Sequence, residues 1–183
     1  ISLGLVGSEM CIRDRGGTVV PTIASNFGLI KSLELAGLSA VTSGVGDRHV
    51  YAKMREGGYS LGGEQTGHTI FGDIERTGDG IMTSLRVMEV IRAERETLSR
   101  LTAPCKLLPQ AQVAVRVADK DAALENMGVQ NAIAEAEAAL AGEGRVLVRK
   151  SGTESVIRML AEAPDQASAD AAMKRIAAAL EAL

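Results

Sequence analysis

Arg145–Glu162 reads RVLVRKSGTESVIRMLAE, two strand-like runs joined by a Ser-Gly-Thr turn. Apolar residues, several of them β-branched, dominate each run, and the glycine-containing turn between them is short. This combination predicts a β-hairpin, with strands over 145–150 and 155–162. A hairpin pairs its two strands antiparallel, so the stretch predicts an antiparallel sheet in the C-terminal part of the chain.

The segments around the hairpin extend it into an α+β unit over residues 111–183. Upstream, Val113, Val115 and Val117 alternate on one face of a further strand. Two helices are predicted from apolar residues at helical spacing, one carrying Val129, Ile133, Ala136 and Leu140, the other (about Gln166 to Leu183) carrying Ala172, Ile176, Ala179 and Leu183. The order β-α-β-β-α predicts an antiparallel sheet covered on one face by two helices.

Residues 101–110 form a predicted linker, because two of the four prolines fall there and no periodic pattern is present. Over residues 16–100, strands alternate with helices, which predicts an α/β layer arrangement. The predicted strands are Thr18–Ala24, Ser39–Thr42, Tyr59–Gly62 and His68–Phe71. The predicted helices are one capped by Ser25 or Asn26, a short one with Val50 and Met54 on one side, and a long one from Asp79 to about Leu98 with the apolar stripe Ile81, Leu85, Met88 and Ile91.

The first fifteen residues, ISLGLVGSEMCIRDR, differ in character from the rest. They resemble a translated sequencing-adapter artefact, and a clean structural pattern starts only at Thr18. We therefore expect residues 1–15 to be non-native. The alternative is an ordinary first strand, Leu3–Val6, at a native N-terminus.

Composition excludes several classes of partner and cofactor. The formal net charge is −3 and aromatic residues make up 2% of the chain, which disfavours nucleic acid and a membrane surface as partners. Two cysteines and two histidines at these spacings do not make a four-ligand zinc site or a disulfide framework, and we expect a cytoplasmic protein with no metal site of its own.

Two glycine-rich loops carry the candidate binding chemistry. In GGEQTGH (Gly62–His68), Glu64 and Thr66 offer the acceptors and donors that a sugar requires, although a plain hairpin turn is the alternative. In the Arg145–Glu162 hairpin, backbone N–H groups around the turn and two arginines suit a phosphate, and solvated arginines are the alternative. The candidate phosphate ligands are Arg149, Ser151, Gly152, Thr153 and Arg158.

The chain resembles the α-D-phosphohexomutase superfamily, and within it the phosphoglucosamine mutase branch. The resemblance rests on four motifs in the family's order: VGDRHV (Val45–Val50), GGEQTGH, TGDG (Thr77–Gly80) and LVRKSGTESVIR (Leu147–Arg158). It covers Gly16–Leu183 and implies the third and fourth domains of a four-domain enzyme. The expected fold is a three-layer α/β domain with a mixed sheet over 16–100, followed by the smaller α+β domain over 111–183.

The resemblance also implies roles for individual residues. Glu64 and Thr66 would contact the sugar, with Thr66 standing where the family usually has serine. Asp47 and Arg48 would lie on a loop that faces the substrate, and His68 would take part in proton transfer. The five residues of the second loop would hold the phosphate at the non-reacting end of the sugar.

The resemblance implies a reaction that needs more than this chain. In the family a phosphoserine of the first domain and magnesium, held by a D-x-D-x-D-R loop of the second, transfer phosphate through a bisphosphate intermediate; neither segment occurs here. We expect the fragment to be inactive alone, to bind no cofactor, and to work with N-terminal domains 1 and 2 on a hexosamine phosphate, glucosamine 6-phosphate or 1-phosphate. A phosphomannomutase or phosphoglucomutase fragment, or a non-catalytic phosphosugar-binding module, are the alternatives.

Overall fold

The computed structural model describes residues 17–183, so the expectations for residues 1–15 lie outside the described residues. The chain divides into two compact units between Leu107 and Leu108. That division falls inside the stretch 101–110 expected as a linker, although Leu98–Thr102 form a helix and a strand begins at Gln110. None of the helices in the described part has the length and apolar character that a membrane crossing requires.

The first unit is built on a four-stranded mixed sheet in the order β2-β1-β3-β4. Strands β1 and β2 are parallel, β1 and β3 are parallel, and β3 and β4 form an antiparallel hairpin. The strands are β1 (Thr18–Pro21), β2 (Ser39–Ala40), β3 (Leu61–Gly63) and β4 (Thr69–Phe71). The helices are α1 (Phe27–Leu35), α2 (Asp47–Gly57), α3 (Gly80–Glu94) and α4 (Leu98–Thr102).

Successive residues of β1 point to opposite faces of this sheet, and each face is covered by a helix. Val19 packs with Leu29 and Leu33 of α1. Val20 packs with Val50 and Met54 of α2. The three-layer α/β architecture with a mixed sheet is therefore confirmed, and it follows from the period of two along a strand.

Helix caps follow the sequence closely. The Asn26 side chain accepts a hydrogen bond from the Gly28 N–H at the start of α1, and Asp79 accepts from the Met82 N–H at the start of α3. Asp47 differs, because it is the first residue of α2 and makes no cap hydrogen bond. Its carboxylate is used elsewhere in the unit.

The long helix expected from Asp79 to Leu98 is shorter than expected. Helix α3 ends at Glu94 because Arg95 adopts a left-handed conformation with φ 55°, and α4 follows as a separate turn. The predicted apolar stripe is largely exposed: Ile81, Leu85 and Met88 are exposed, whereas Val90 is the buried residue of the helix. Periodicity identified an apolar face, but no described element covers it.

The second unit is a three-stranded antiparallel sheet, in the order β5-β7-β6, covered on one face by two long helices. Its strands are β5 (Gln110–Arg116), β6 (Arg145–Lys150) and β7 (Val156–Glu162). Its helices are α5 (Lys120–Glu125), α6 (Met127–Ala139) and α7 (Gln166–Glu181). The hairpin and the α+β class predicted from the sequence are both confirmed.

The expected core of this unit needs one correction. Val129, Ala136, Ala172 and Ile176 are buried as predicted, but Leu183 is exposed and Leu180 takes its place in the core. Helix α7 ends at Glu181, so Leu183 lies beyond the last turn. Leu180 lies four residues after Ile176, on the same face of the helix.

Two leucines on α1 provide a matched test of this packing. Leu33 is fully buried (0% exposed) against Val19, whereas Leu35 is 89% exposed. We expect Leu33→Ala to lower the free energy of unfolding by about 2–5 kcal/mol. The control Leu35→Ala is expected to change it by less than about 0.5 kcal/mol. Urea unfolding followed by circular dichroism measures both, and equal effects would contradict the assigned helix face.

Candidate functional site

The GGEQTGH loop is a tight connection between β3 and β4. The Glu64 N–H donates to the His68 carbonyl at 2.8 Å, and the Gly67 N–H donates to the Glu64 carbonyl at 3.1 Å. A Cβ on Gly63 would lie 2.4 Å from the His68 carbonyl oxygen, and Gly67 has a φ of 98°. Both positions therefore require glycine, one for a close approach and one for its backbone conformation.

The polar side chains of this loop differ in burial. Thr66 is exposed and the His68 side chain is 60% exposed, so both are open to a ligand. Glu64 is only 8% exposed, and its carboxyl group lies beside that of Asp47. A buried carboxyl group at the edge of this loop can exchange hydrogen bonds with a polar ligand.

Asp47 joins the candidate loops of the first unit. Its Oδ1 lies 3.0 Å from His68 Nδ1. Its Oδ2 accepts from the Thr77 hydroxyl at 2.9 Å and from the Gly78 N–H at 3.1 Å. The VGDRHV, GGEQTGH and TGDG motifs, which are separate in sequence, therefore meet at one carboxylate.

These contacts set the charge state of Asp47. Burial raises its pKa, but hydrogen bonds from the Gly78 N–H, Thr77 and His68, together with a contact to Glu64, outweigh that effect. The net result lowers the pKa of Asp47 from 3.8 to about 2, so the group is ionised at neutral pH.

Asp47, Glu64 and His68 form a group whose possible ligand atoms lie within 4.8 Å of one another. The set does not fit magnesium well, because Mg²⁺ prefers oxygen ligands and one of the three is an imidazole. The carboxylate oxygens of Asp47 also already accept three hydrogen bonds. The chemistry of these three residues therefore does not match a magnesium site.

Arg48 lines a shallow surface pocket on the outer face of α2. Tyr51 and Arg55 follow it on the same side of the helix, and Arg76 approaches from the loop before α3. Sequence reasoning singled out Arg48 but missed Arg55 and Arg76. Arg55 lies seven residues after Arg48, and this spacing could have indicated that the two share one side of a helix. Arg76 is distant in sequence and approaches them only in the folded chain.

The second unit places the two predicted phosphate-binding arginines directly opposite each other. Arg149 on β6 pairs with Arg158 on β7 in the antiparallel register, and both are exposed. Directly opposite residues project from the same face of a sheet, and like charges in that arrangement repel. An anion between the two guanidinium groups would relieve this repulsion.

The turn between these strands is held by its own side chains and by a lysine. Ser151 is buried, and its hydroxyl accepts from the Glu154 N–H at 3.3 Å. Lys120 Nζ donates to the carbonyls of Ser151 at 2.8 Å and Glu154 at 3.1 Å. Gly152 and Thr153 are exposed at the tip of the turn.

Lys120 was not identified from the sequence, because it lies 31 residues before Ser151 and belongs to no motif. Its ammonium group donates hydrogen bonds to backbone carbonyls on one side of the turn. Arg158 also has a protein partner, the Glu154 carboxylate. The Glu154 carboxylate therefore competes with an incoming anion for the Arg158 guanidinium group.

Comparison with known families accounts for nearly the whole chain. Residues 2–107 match the family model described as phosphoglucomutase/phosphomannomutase, alpha/beta/alpha domain III, and residues 113–179 match the C-terminal domain of the same proteins. The chain therefore belongs to the phosphoglucomutase/phosphomannomutase family and carries its domain III and C-terminal domain. The first match includes residues 2–15, and the expected boundary at residue 16 stays a prediction.

Similar curated proteins are phosphoglucosamine mutases. The one from Geobacillus thermodenitrificans is 48% identical over 160 residues, which is 87% of this chain and 36% of that protein. The one from Exiguobacterium sibiricum is 44% identical over 165 residues, 90% of this chain and 37% of that protein. The chain thus spans little more than a third of the length of these relatives.

Solved structures share the fold. N-acetylphosphoglucosamine mutase from Aspergillus fumigatus matches with a TM-score of 0.79 at 24% identity, covering 99% of this chain and 42% of that one. A phosphoglucomutase/phosphomannomutase family protein from Burkholderia thailandensis matches with a TM-score of 0.71 at 22% identity, covering 99% and 41%. Another structure of the Aspergillus enzyme, with a TM-score of 0.74 at 22% identity over 98% and 45% of the two chains, is a complex with GlcNAc-6P and magnesium.

The charge state of Asp47 is open to a direct test. Because its folded pKa of about 2 lies below the ordinary 3.8, Asp47 contributes to stability above pH 3.8, and that contribution is lost as the pH falls toward 2. Thr77→Val removes one donor, so we expect the pKa of Asp47 to rise toward 3.8. NMR titration of its carboxyl carbon measures the shift.

The matched control is Thr83→Val, because the Thr83 hydroxyl donates to the Asp79 carbonyl and makes no contact with Asp47. We expect this variant to leave the pKa of Asp47 unchanged. An ordinary Asp47 pKa in the unmodified chain would contradict the hydrogen-bond assignment.

Proposed function

We propose that this chain is the sugar- and phosphate-recognising part of a phosphoglucosamine mutase. The whole protein would interconvert glucosamine 6-phosphate and glucosamine 1-phosphate through a phosphoserine and a bisphosphate intermediate. The observation that carries the proposal is the pairing of Arg149 with Arg158 beside the Ser151–Thr153 turn. The identity of about 48% to phosphoglucosamine mutases favours this branch over a phosphomannomutase or phosphoglucomutase.

The hairpin turn of the second unit would bind the phosphate at the non-reacting end of the sugar. Arginine guanidinium groups donate paired hydrogen bonds that match phosphate oxygens. The Ser151 hydroxyl and the N–H groups of Gly152 and Thr153 would add further donors. Lys120 would stabilise the conformation of the turn by donating to the carbonyls of Ser151 and Glu154. Those carbonyls are acceptors, so these bonds would use none of the donors that a phosphate needs.

The loops of the first unit would recognise the sugar. Glu64 would accept from sugar hydroxyls or an ammonium group, and the exposed Thr66 hydroxyl would contact a neighbouring oxygen. Arg48, with Arg55 and Arg76, would supply positive charge close to these loops. His68 would transfer a proton at the reacting end, and its ring is exposed.

The chemical steps would need residues outside this chain. Phosphoryl transfer depends on in-line positioning and charge neutralisation. These two units would contribute part of the positioning and the proton transfer assigned to His68, but neither the phosphoserine nor the charge neutralisation. Magnesium would supply charge neutralisation in the whole enzyme, and the D-x-D-x-D-R loop expected to hold it is not in this sequence. We therefore propose that the chain alone is inactive and that the whole enzyme works in the cytoplasm.

Ligand binding by the isolated chain tests the proposal. We expect Arg158→Gln to weaken binding of glucosamine 6-phosphate about 10- to 100-fold, since a hydrogen bond to a charged group contributes roughly 1.5–3 kcal/mol. Glu64→Gln is expected to weaken glucosamine 6-phosphate binding without affecting that of inorganic phosphate. NMR chemical-shift titration gives both affinities.

Lys174→Gln is the matched control, because it removes the same charge from an exposed position on α7. We expect it to leave both affinities unchanged. Equal losses of affinity in the Arg158 and Lys174 variants would show that binding depends on overall charge and not on a specific site. Mutase turnover by the chain alone would contradict the proposed division of labour.

A further inference from the structure

We propose that Asp47 is a positioning residue that fixes the tautomer of His68, placing the ring hydrogen on Nδ1 and leaving Nε2 as the bare nitrogen. The family resemblance suggested contact with substrate for Asp47. In the structure its carboxylate contacts His68, Thr77 and Gly78. The consequence for proton transfer rests on the proposed function, whereas the tautomer itself does not.

The tautomer follows from the chemistry of the contact. His68 Nδ1 lies 3.0 Å from Asp47 Oδ1, a normal hydrogen-bond distance. Asp47 is ionised at neutral pH, and an ionised carboxylate can only accept hydrogen bonds. Nδ1 must therefore carry the hydrogen, and a neutral ring then has none on Nε2.

The Asp47 carboxylate cannot turn freely, because its other oxygen is held by two donors. The Thr77 hydroxyl and the Gly78 N–H both donate to Oδ2. Gly78 also packs against the histidine itself, since a Cβ at this position would lie 2.8 Å from His68 Cβ. The TGDG motif thus donates the two hydrogen bonds that hold the Asp47 carboxylate, and its glycine leaves room for the imidazole ring.

The arrangement would give His68 a defined chemical role in the proposed reaction. With Nδ1–H held by a carboxylate, Nε2 is the nitrogen that can accept a proton, and it belongs to a ring that is 60% exposed. A carboxylate in this position also stabilises the imidazolium that forms, as in other carboxylate–histidine pairs. A purely structural Asp47 would hold the loops together without selecting a tautomer.

Replacing Asp47 by asparagine separates these two roles. The Gly78 N–H can only donate, so the asparagine side chain introduced there would keep its oxygen toward Gly78 and Thr77. Its amide NH₂ would then face His68 and donate to Nδ1. Asp47→Asn is therefore expected to keep the loops in place and to move the ring hydrogen of His68 to Nε2.

Long-range ¹H–¹⁵N NMR spectra of the histidine rings measure the tautomer directly. The chain contains two histidines, so His49 serves as an internal reference. At a pH where both rings are neutral, we expect a protonated Nδ1 and a bare Nε2 for His68. The pattern should reverse in Asp47→Asn and persist in Thr77→Val, which retains the Asp47–His68 contact.

A protonated Nε2 in the unmodified chain would overturn the proposal, as would a folded Asp47→Asn variant with an unchanged tautomer. If Asp47→Asn does not fold, the unmodified spectrum and that of Thr77→Val decide the question alone. Titration with glucosamine 6-phosphate is recorded separately. Absent binding together with the expected tautomer would contradict the proposed function and leave the positioning role of Asp47 intact.

Discussion

The missing side chain at Gly62 determines how closely α2 can pack on the first sheet. A Cβ at this position would lie 2.6 Å from Met54 Sδ, 2.7 Å from Val50 Cγ1 and 3.0 Å from the Val20 carbonyl oxygen. Because glycine allows this approach, α2 lies directly over β3. The first residue of α2, Asp47, then lies beside the loop that follows β3.

This packing explains why the candidate loops meet. Asp47 is 21 residues from His68 and 30 from Thr77, and all three are brought together by elements of one sheet layer. Asp47 opens helix α2, His68 directly precedes strand β4, and Thr77 lies three residues before helix α3, so each residue is close to a regular element. Sites supported by rigid elements in this way are held more accurately than sites on long loops.

Sequence reasoning predicted the strands and the longer helices of both units, the cap at Asp79 and a cap at Ser25 or Asn26, because these depend on local pattern. It also located the two glycine-rich loops. The short helices α4 and α5 were not predicted. It did not predict the Asp47–His68 contact or the role of Lys120, since both depend on packing between distant segments. The exposed stripe on α3 shows the same limit, because periodicity identifies an apolar face without identifying what covers it.

The ion pair between Glu154 and Arg158 has a consequence for selectivity. Any anion that binds between Arg149 and Arg158 must compete with a carboxylate already present. A singly charged ligand would replace the Glu154 carboxylate with another monoanion, so the electrostatic energy would change little. A phosphate monoester carries a charge of about −1.5 to −2 at neutral pH, so it gains where a carboxylate or chloride does not. Glu154 would thus act as a built-in competitor that screens out weakly charged ions.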